Sequence, residues 1–337
     1  MISVVIVHYV GASKLRRCLE SLTLIAEPPC ELLVVDNGSS EDLSWVKSEF
    51  RFLSYHRAPY NLGFAGGNNL GLTHCAGKYV LLLNDDTIVN PEFLSVLAGY
   101  LDKHAHVGIV GGKMLLPRFG NTLDVCGSFL TWFGLPYHYG FYKPDGPKYQ
   151  RNYPVFSAKG ACLMFRRELI KSVGGFLFDE DFFCYYEETD FCHRAWLAGH
   201  EVHFVNSPPI QHLMGATSGG PQSLFVLRHY LRNMAFSLLS NLSLSSRLRI
   251  LPLFFGMLLA SMAAAAFTFK WGQFAAHFGA VTYCLTHYRK ILERRRIVKS
   301  IRRRSDREIF AKVLRNPRLS YFVKTFSGRL TDYVDDP

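Results

Sequence analysis

The feature that most constrains the fold of this 337-residue chain is a set of short, continuously apolar runs separated by helical patterns. The runs span residues 3–8, 31–36 and 78–84, with a weaker one at 52–56, and helical periodicity follows the first at 14–25. Strands without polar alternation have to be covered on both faces. The pattern therefore predicts an α/β fold with a mostly parallel central sheet flanked by helices.

The pattern changes after residue 115. Residues 117–154 are aromatic and rich in Gly and Pro without a clear period, which is typical of a long loop that shapes a binding site. The other predicted elements are a helix opened by Pro91, regular structure at 158–165, a helix at 187–198, a strand at 202–205 and a helix from Pro221 to about 241. We expect an α/β domain over residues 1–220 and a C-terminal helical region over 221–337.

Positive charge is concentrated near the C-terminus. The formal net charge is +11, and residues 289–304 alone hold nine basic residues against one acidic residue. The rest of the chain is therefore nearly neutral. No aromatic residue interleaves with the basic tract and no nucleic-acid-binding module accompanies it, so we expect no nucleic-acid partner. An anionic membrane surface fits such a tract better.

Residues 250–269 form a stretch of 20 residues without a charged side chain, about 30 Å long as a helix. This length matches a bilayer core, although Pro252 and a run of alanines make insertion marginal. Basic residues flank both ends, so a single span would place one flank on the wrong side. We expect a helical hairpin with residues 273–288 as its return arm, or helices lying in the interface; a buried helix of a soluble domain is the alternative.

The compartment is indicated by the cysteines and the N-terminus. Eight scattered cysteines without a CxxC motif predict reduced, buried thiols in a cytosolic environment. The apolar N-terminus is too short for a signal peptide and lacks a basic n-region, so we interpret it as a buried first strand.

The first candidate functional motif is Asn84-Asp85-Asp86, at the carboxyl end of the strongest strand, where open parallel sheets bind ligands. Two adjacent carboxylates repel each other, and Mg²⁺ or Mn²⁺ bound to carboxylate and phosphate oxygens would relieve the repulsion. The same residues also fit a strand-to-helix turn in which Asp86 or Thr87 caps a helix.

Two further segments fit nucleotide binding on weaker grounds. Asp36 ends the second strand within VDNGS, where its carboxylate could accept hydrogen bonds from a base or a ribose, or close an Asx-turn with Gly38. In NLGFAGGNN, residues 61–69, three glycines before a helix allow close backbone approach and an anion at the helix N-terminus. Neither segment matches the GxGxxG fingerprint or a Walker A loop.

The segment YYEETDFCHR, residues 185–194, places three carboxylates near the start of a predicted helix. On that helix Asp190 and Arg194 form an i,i+4 pair, which leaves Glu187 or Glu188 to face the site as a general base. His212 lies in a later loop, and a lone histidine in such a position is usually structural.

The order of these motifs is more specific than any one of them. VDNGS, NLGFAGGNN, YVLLLNDD, YYEETDFCHR, QHLMGATS and YLRN, in this order over residues 2–235, resemble the family 2 glycosyltransferases with a GT-A fold. Within that family the chain looks most like the bacterial rhamnosyltransferase-like branch. The resemblance implies an inverting, metal-dependent enzyme that moves a sugar from a nucleoside-diphosphate sugar to a glycan or polyprenyl-linked acceptor. It also implies a role in cell-surface polysaccharide synthesis. From the basic tract and the apolar segment we expect the enzyme at the cytoplasmic face of the inner (plasma) membrane, either peripheral or anchored by a hairpin.

The resemblance assigns the candidate residues to three groups. The nucleotide contacts are Asp36, Asn68, Asn69 and Asp85. The ligands of Mg²⁺ or Mn²⁺ are Asp86 and His212. The catalytic segment comprises Glu188 as the base, Glu187 as the alternative base, and Asp190. Asn84 stands where the strict DxD motif has its first Asp, and Glu188 stands where the family usually carries Asp.

Two other functions stay open from the sequence. A nucleotidyltransferase shares the α/β sheet but usually has a Gly-rich loop with Lys or Arg directly after the first strand, which this chain lacks. A catalytically degenerate, membrane-associated nucleotide-sugar binding protein would fit Asn84 and Glu188. The aromatic segment 129–142 either stacks on sugar faces or packs as a lid.

Overall fold

A computed structural model describes residues 1–25, 30–213, 223–318 and 320–322. The strands in these ranges are β1 (Ile2–His8), β2 (Cys30–Asp36), β3 (Ser54–Arg57), β4 (Tyr79–Asn84), β5 (Thr87–Ile88), β6 (Val107–Gly111), β7 (Met114–Leu116), β8 (Thr122–Leu123), β9 (Ser128–Leu130), β10 (Pro136–His138), β11 (Tyr153–Pro154), β12 (Cys162–Arg166), β13 (Glu201–Phe204) and β14 (Ile210–His212). The helices are α1 (Ala12–Thr23), α2 (Ser44–Glu49), α3 (Gly63–Thr73), α4 (Phe93–Lys103), α5 (Leu169–Ser172), α6 (Glu187–Leu197), α7 (Leu224–Asn241), α8 (Leu244–Phe267), α9 (Trp271–Thr286), α10 (Tyr288–Ile301) and α11 (Asp306–Val313).

The central sheet has the strand order β11-β13-β6-β12-β4-β1-β2-β3. Strand β1 pairs in parallel with β2 and β4, whereas β12 runs antiparallel between β4 and β6. Successive residues of β1 enter different cores, Val4 and Ile6 on one face and Val5 on the other. The predicted α/β sheet with both faces covered is therefore confirmed, with one antiparallel strand at its centre.

A second, smaller sheet has the order β5-β14-β7-β8. None of its four strands was predicted from the sequence. The region 117–154 is not one long loop, because it contains the short strands β8 to β11. Within it β9 and β10 form an antiparallel hairpin whose Phe129 and Tyr137 are 1% exposed. These buried rings agree with the packing interpretation of the aromatic segment.

The glycine-rich stretch lies inside α3 and not before it, which corrects the expectation of a phosphate-binding turn. A Cβ added to Gly67 would come within 2.6 Å of Val7, and one added to Gly71 within 2.3 Å of Val5. Glycines here allow α3 to lie directly on β1, a close approach that no larger residue permits. Helix α4 begins at Phe93, two residues after the predicted start at Pro91, which lies in a turn.

The C-terminal region is helical, as expected. Helix α7 is capped by the side chain of Ser223, and the predicted start at Pro221, like the predicted domain boundary at residue 220, lies outside the described residues. Helices α8 and α9 follow each other closely in the chain and pack together, and α9 also packs on α7. Seven cysteines in the described part of the chain are free thiols, six of them buried, as the sequence predicts.

Helix α8 is long and apolar enough to cross a membrane, and only 22% of its most apolar window is buried in the protein. Its inward face carries residues spaced by four, such as Ile250, Phe254 and Leu258, while Leu253 and Leu259 are about half exposed. A core helix of a soluble protein is normally mostly buried. The low burial leaves an apolar face of the hairpin open.

The basic tract 289–304 forms most of α10, and about half of it binds the protein itself. Arg294 is 6% exposed and pairs with Asp190 and Asp179, and Lys290 also pairs with Asp179. Arg295 donates to the carbonyl of Leu239 at 2.9 Å. The basic side chains of the tract that remain exposed are Arg289, Arg296, Lys299 and Arg303. The interpretation of the whole tract as a lipid-binding element is therefore corrected: part of it docks α10 on the α/β domain.

Candidate active site

The predicted ligand-binding edge is formed by the carboxyl ends of β1, β2 and β4. In the parallel register His8 of β1 lies opposite Asp36 of β2, and Val7 lies opposite Asn84 of β4. Because Asp85 directly follows β4, its carboxylate and Asp36 emerge at the same edge of the sheet. This is the edge at which open parallel sheets bind ligands.

His8 contacts two carboxylates at this edge. Its Nδ1 lies 2.6 Å from Asp85 Oδ2, and its Nε2 lies 3.0 Å from Glu41 Oε2. Burial acts to lower the pKa of His8, but the two carboxylates together outweigh burial and raise it. Glu41 also accepts a hydrogen bond of 2.7 Å from the backbone N–H of Gly11. The group holds Asp85 in place and was not singled out from the sequence.

Asp86 and His212 are brought together by the small sheet. Strand β14 pairs with β5 so that His212 lies opposite Thr87, and His212 Nε2 is 3.3 Å from Asp86 Oδ1. The other ring nitrogen, Nδ1, is 2.7 Å from Asp124 Oδ2. Burial acts to lower the pKa of His212, but hydrogen bonds with Asp124 and Asp86 outweigh it and raise the pKa to about 9.

This arrangement fits a metal site. A histidine that ligates a metal typically has its second ring nitrogen held by a carboxylate, which fixes the orientation of the ring. Here Asp124 holds Nδ1 of His212, and Nε2 points to the carboxylate of Asp86. Both nitrogen and carboxylate oxygen are suitable ligands for Mn²⁺ or Mg²⁺, so the donor set agrees with the predicted pair Asp86 and His212.

Lys159 links the predicted metal site to the predicted base. Its Nζ donates a hydrogen bond of 2.5 Å to Asp124 Oδ1. Burial acts to raise the pKa of Asp124, but Lys159 and His212 hold it well below the usual range. The neighbouring Gly160 lies against Glu188, since a Cβ on Gly160 would be 3.4 Å from the Glu188 Cβ.

Glu187 and Glu188 are adjacent carboxylates in the first turn of α6. Burial raises the pKa of Glu187 well above its usual value, and the charge of Glu188 adds to the shift. Burial also raises the pKa of Glu188, while nearby Lys159 acts in the opposite direction. Among the described residues, Glu187 Oε2 has no hydrogen-bond partner, and Glu187 is 4% exposed. Glu188 is the more accessible of the two.

Asp190 lies in a buried network and not in an open position. The predicted ion pair with Arg194 is present, with 2.8 Å between Arg194 Nε and Asp190 Oδ2. Its other donors are Ser237, Asn241 and Arg294, at 2.8, 2.8 and 3.2 Å. Burial acts to raise the pKa of Asp190, but the two arginines lower it to about 2. This geometry gives Asp190 a structural use in addition to the predicted place in the catalytic segment.

Asp36 stabilises the turn after β2 with its side chain, although the bond runs to Ser39 and not to Gly38 as the predicted Asx-turn requires. Its Oδ1 accepts a hydrogen bond of 2.8 Å from the backbone N–H of Ser39, and its Oδ2 accepts one of 2.5 Å from Tyr55. Arg57, whose side chain is more than half exposed, lies 3.2 Å from the same carboxylate. Asp36 itself is fully buried.

Asn68 and Asn69 are hydrogen-bonded within the protein. The amide of Asn68 donates to the carbonyl of Phe64 at 2.8 Å. Asn69 both donates to and accepts from the backbone of Phe178, at 3.0 and 3.1 Å. The two contacts of Asn69 tie α3 to the chain segment ahead of α6.

Sequence reasoning missed His8, Glu41, Asp124 and Lys159. His8 carried a usable signal, because it is a polar residue at the end of an apolar strand. Asp124 and Lys159 carried none, since they lie 35 residues apart and meet only through a long-range contact.

A second cluster with metal-ligand chemistry, His106, Glu201 and His203, lies at the opposite edge of the sheet, where β6 and β13 begin. Glu201 is already neutralised by Lys312 at 2.5 Å, with Arg304 at 3.6 Å. Both cations oppose binding of a metal ion. The cluster is therefore separate from the Asp86–His212 site.

The fold is shared with solved glycosyltransferases of the GT-A type. The structure of GalNAc-T7 with UDP, GalNAc and Mn²⁺ superposes with a TM-score of 0.65 at 16% identity, over 96% of this chain and 57% of that one. The Pyrobaculum calidifontis mannosyltransferase PcManGT, in complex with GDP-Man and Mn²⁺, gives 0.56 at 17% identity, over 89% of this chain and 85% of that one. At these identities the likeness establishes the fold.

A sequence model described as glycosyl transferase family 2 matches residues 3–174, just over half of the chain. The chain belongs to this family and is a glycosyltransferase, as the motif order predicted.

Two curated relatives are informative. The low-salt glycan biosynthesis hexosyltransferase Agl10 of Haloferax volcanii is 28% identical over 58% of this chain and 61% of its own length. The N-acetylglucosaminyl-diphospho-decaprenol L-rhamnosyltransferase of Mycobacterium tuberculosis is 25% identical over 68% of this chain and 81% of its own length. This chain thus spans about three fifths of the archaeal relative.

Proposed function

We propose that this protein is an inverting, divalent-cation-dependent glycosyltransferase that transfers a hexose or rhamnose from a nucleoside-diphosphate sugar to a lipid-linked glycan. The observation that carries the proposal is the Asp86–His212–Asp124 arrangement at the carboxyl edge of the sheet, within reach of Lys159. The named relatives support the substrate class, since one is a hexosyltransferase of glycan biosynthesis and another is named for a decaprenol-linked acceptor.

In the proposed site Asp86 and His212 hold Mg²⁺ or Mn²⁺, and Asp124 keeps the ring of His212 in the ligating orientation. A bound cation would neutralise the charge that develops on the departing nucleoside diphosphate. Asp85 and Asp36 are proposed to border the sugar and nucleotide at the same edge. Asn68 and Asn69 are the weaker nucleotide contacts, because their amides are already used inside the protein.

The proposed base is Glu188, with Glu187 as the alternative. The carboxylate accepts the proton of an acceptor hydroxyl while the hydroxyl oxygen attacks the anomeric carbon from the face opposite the diphosphate. The bond from the anomeric carbon to the diphosphate oxygen breaks, and the configuration inverts. The raised pKa of Glu188 makes it a stronger proton acceptor than an ordinary glutamate.

A donor panel tests the proposed activity. We expect thermal stabilisation with Mn²⁺ by one of UDP-GlcNAc, GDP-mannose or dTDP-rhamnose, and release of nucleoside diphosphate when a polyprenyl-linked acceptor is added. Release of pyrophosphate would instead indicate a nucleotidyltransferase. A degenerate binding protein would bind the donor with Mn²⁺ but release neither product.

We further propose that the α8–α9 hairpin binds the cytoplasmic membrane surface, which brings the enzyme to lipid-linked acceptors. Helix α8 has a mean hydropathy of 2.1 in its most apolar window and a mostly unburied surface. The apolar face continues around the turn between α8 and α9, where Phe267, Phe269 and Trp271 are 60 to 85% exposed. Exposed Arg289 and Arg296 on the following α10 supply positive charge for anionic lipids.

Replacing Leu248, Leu253 and Leu259 together with serine is expected to weaken vesicle binding by about 100-fold, at roughly 1 kcal/mol per half-buried leucine. These side chains are 46 to 70% exposed, so the fold should survive the change. Sedimentation with phosphatidylglycerol vesicles measures the effect. The control exchanges Leu24 and Phe52 for serine, since both are similarly exposed on the α/β domain. Unchanged sedimentation of the triple variant would contradict the membrane proposal.

A further inference from the structure

Helix α7 carries a buried polar stripe, formed by Asn233, Ser237 and Asn241, that faces the beginning of α6. The three residues are spaced by four and are each 1% exposed. Such a buried row has to be matched by polar partners, because unpaired buried polar groups are costly. Ser237 and Asn241 both donate to Asp190 Oδ1, and Asn233 donates to the loop that precedes α6.

The loop before α6 has an unusual backbone. Phe183, Tyr185 and Tyr186 have φ angles of 61°, 68° and 74°, in the left-handed region that bulky residues rarely adopt. Tyr186 is also the residue before the first turn of α6, a position that normally has an extended conformation. Strained backbone of this kind persists only where surrounding contacts fix it. The direction in which Glu187 and Glu188 leave the loop depends on these angles.

Asn233 provides the contacts that fix this loop. Its amide donates to the carbonyls of Phe182, Cys184 and Tyr185 at 2.9, 3.0 and 2.7 Å. Arg232 donates from Nε to the side-chain oxygen Oδ1 of Asn233 at 3.0 Å, and this bond orients the side-chain amide. Arg232 also donates from Nη2 to the carbonyl of Asp181 at 2.7 Å. The YLRN motif therefore binds four backbone carbonyls between residues 181 and 185 of one strained loop.

We propose that Asn233 is a positioning residue that holds Phe183, Tyr185 and Tyr186 at their positive φ angles and so aims the catalytic glutamates at the acceptor. Arg232 supports it by fixing the orientation of its amide. This inference rests on the proposed function of Glu188 and Glu187 as the base, and it gives the YLRN motif a role in turnover and not in donor binding. The C-terminal helical region then contributes to the catalytic site by positioning the loop before α6.

The test compares Asn233→Ala and Arg232→Met with Ser240→Ala as a matched control. Ser240 is a buried polar residue on the same helix whose hydroxyl has no partner among the described residues. We expect kcat to fall about 100-fold in Asn233→Ala and about 10-fold in Arg232→Met, as for a misplaced catalytic group. Binding of UDP with Mn²⁺, measured by calorimetry, should stay within about threefold of wild type, because binding depends on another part of the site.

Hydrogen exchange of residues 182–190 separates the possible outcomes. We expect exchange there to rise at least about tenfold in Asn233→Ala and to be unchanged in Ser240→Ala, since the clamp limits local opening. Folded Asn233→Ala with the kcat and exchange of the control would overturn the inference. If Asn233→Ala does not fold, Arg232→Met decides by the same two measurements. If the wild type releases no nucleoside diphosphate, the proposed function fails, and unchanged exchange in Asn233→Ala is the separate result that would reject the clamp.

Discussion

Replacement of Asp86 by alanine is expected to lower Mn²⁺-dependent transfer on the order of 1000-fold, the loss of several kcal/mol of charge stabilisation. Asp86 is 6% exposed and shares His212 with Asp124, so no other carboxylate of the described part is placed to replace it at that nitrogen. The fold should be retained, because removing one of two adjacent carboxylates relieves their repulsion. Nucleoside diphosphate release over a Mn²⁺ titration measures the effect.

The matched control is Asp102→Ala. Asp102 pairs with exposed Lys78 at the opposite edge of the sheet, and its side chain is 54% exposed. We expect near wild-type transfer from this variant, because exposed ion pairs contribute little to stability. An Asp86→Ala enzyme with an undiminished Mn²⁺-dependent rate would refute the metal assignment.

Exchange of Glu188 for glutamine is expected to reduce kcat by about 10²- to 10⁴-fold, the range for loss of a general base. Exchange of Glu187 for glutamine should have a smaller effect, because its Oε2 is buried away from any substrate-accessible surface. Each variant keeps the size of the side chain and removes only its capacity to accept a proton. Steady-state turnover at saturating donor distinguishes the two, and the reverse order would transfer the assignment to Glu187.

The same base predicts the pH dependence of transfer. Glu188 has to be deprotonated to accept a proton, and burial raises its pKa above the ordinary value of 4.5. Activity should therefore be complete at high pH and lost as the pH falls through the raised pKa. In Glu188→Gln this acidic limb of the kcat profile should disappear.

The sequence predicted those features that depend on local pattern. Apolar runs located β1, β2 and β4, and the polar residues at their ends located one edge of the site, because parallel strands carry their carboxyl ends to the same side. Asp124 and Lys159 were not predictable in this way. Asp124 reaches His212 because β7 pairs with both β8 and β14, and Lys159 joins the site through its ion pair with Asp124. These contacts join distant segments and do not depend on periodicity.

Two misinterpretations have a common physical origin. The glycines of residues 61–69 were assigned to a ligand, but Gly67 serves the packing of α3 on β1, as Gly71 does one turn further on. The basic tract was assigned to lipid, but Arg294 and Lys290 serve acidic residues of the α/β domain. Residue type alone does not reveal whether a group's partner is external or another part of the same chain.

The network around Asp190 limits how this enzyme can be shortened or recombined. Arg194 is the only one of its four described donors that precedes residue 221, since Ser237, Asn241 and Arg294 all follow it. A fragment ending at the predicted domain boundary would retain a buried carboxylate with most of its donors removed, a change that costs about 3–5 kcal/mol in comparable pairs. Chimeras that exchange sugar specificity between relatives should therefore carry α7 and α10 together with α6 as one inherited unit.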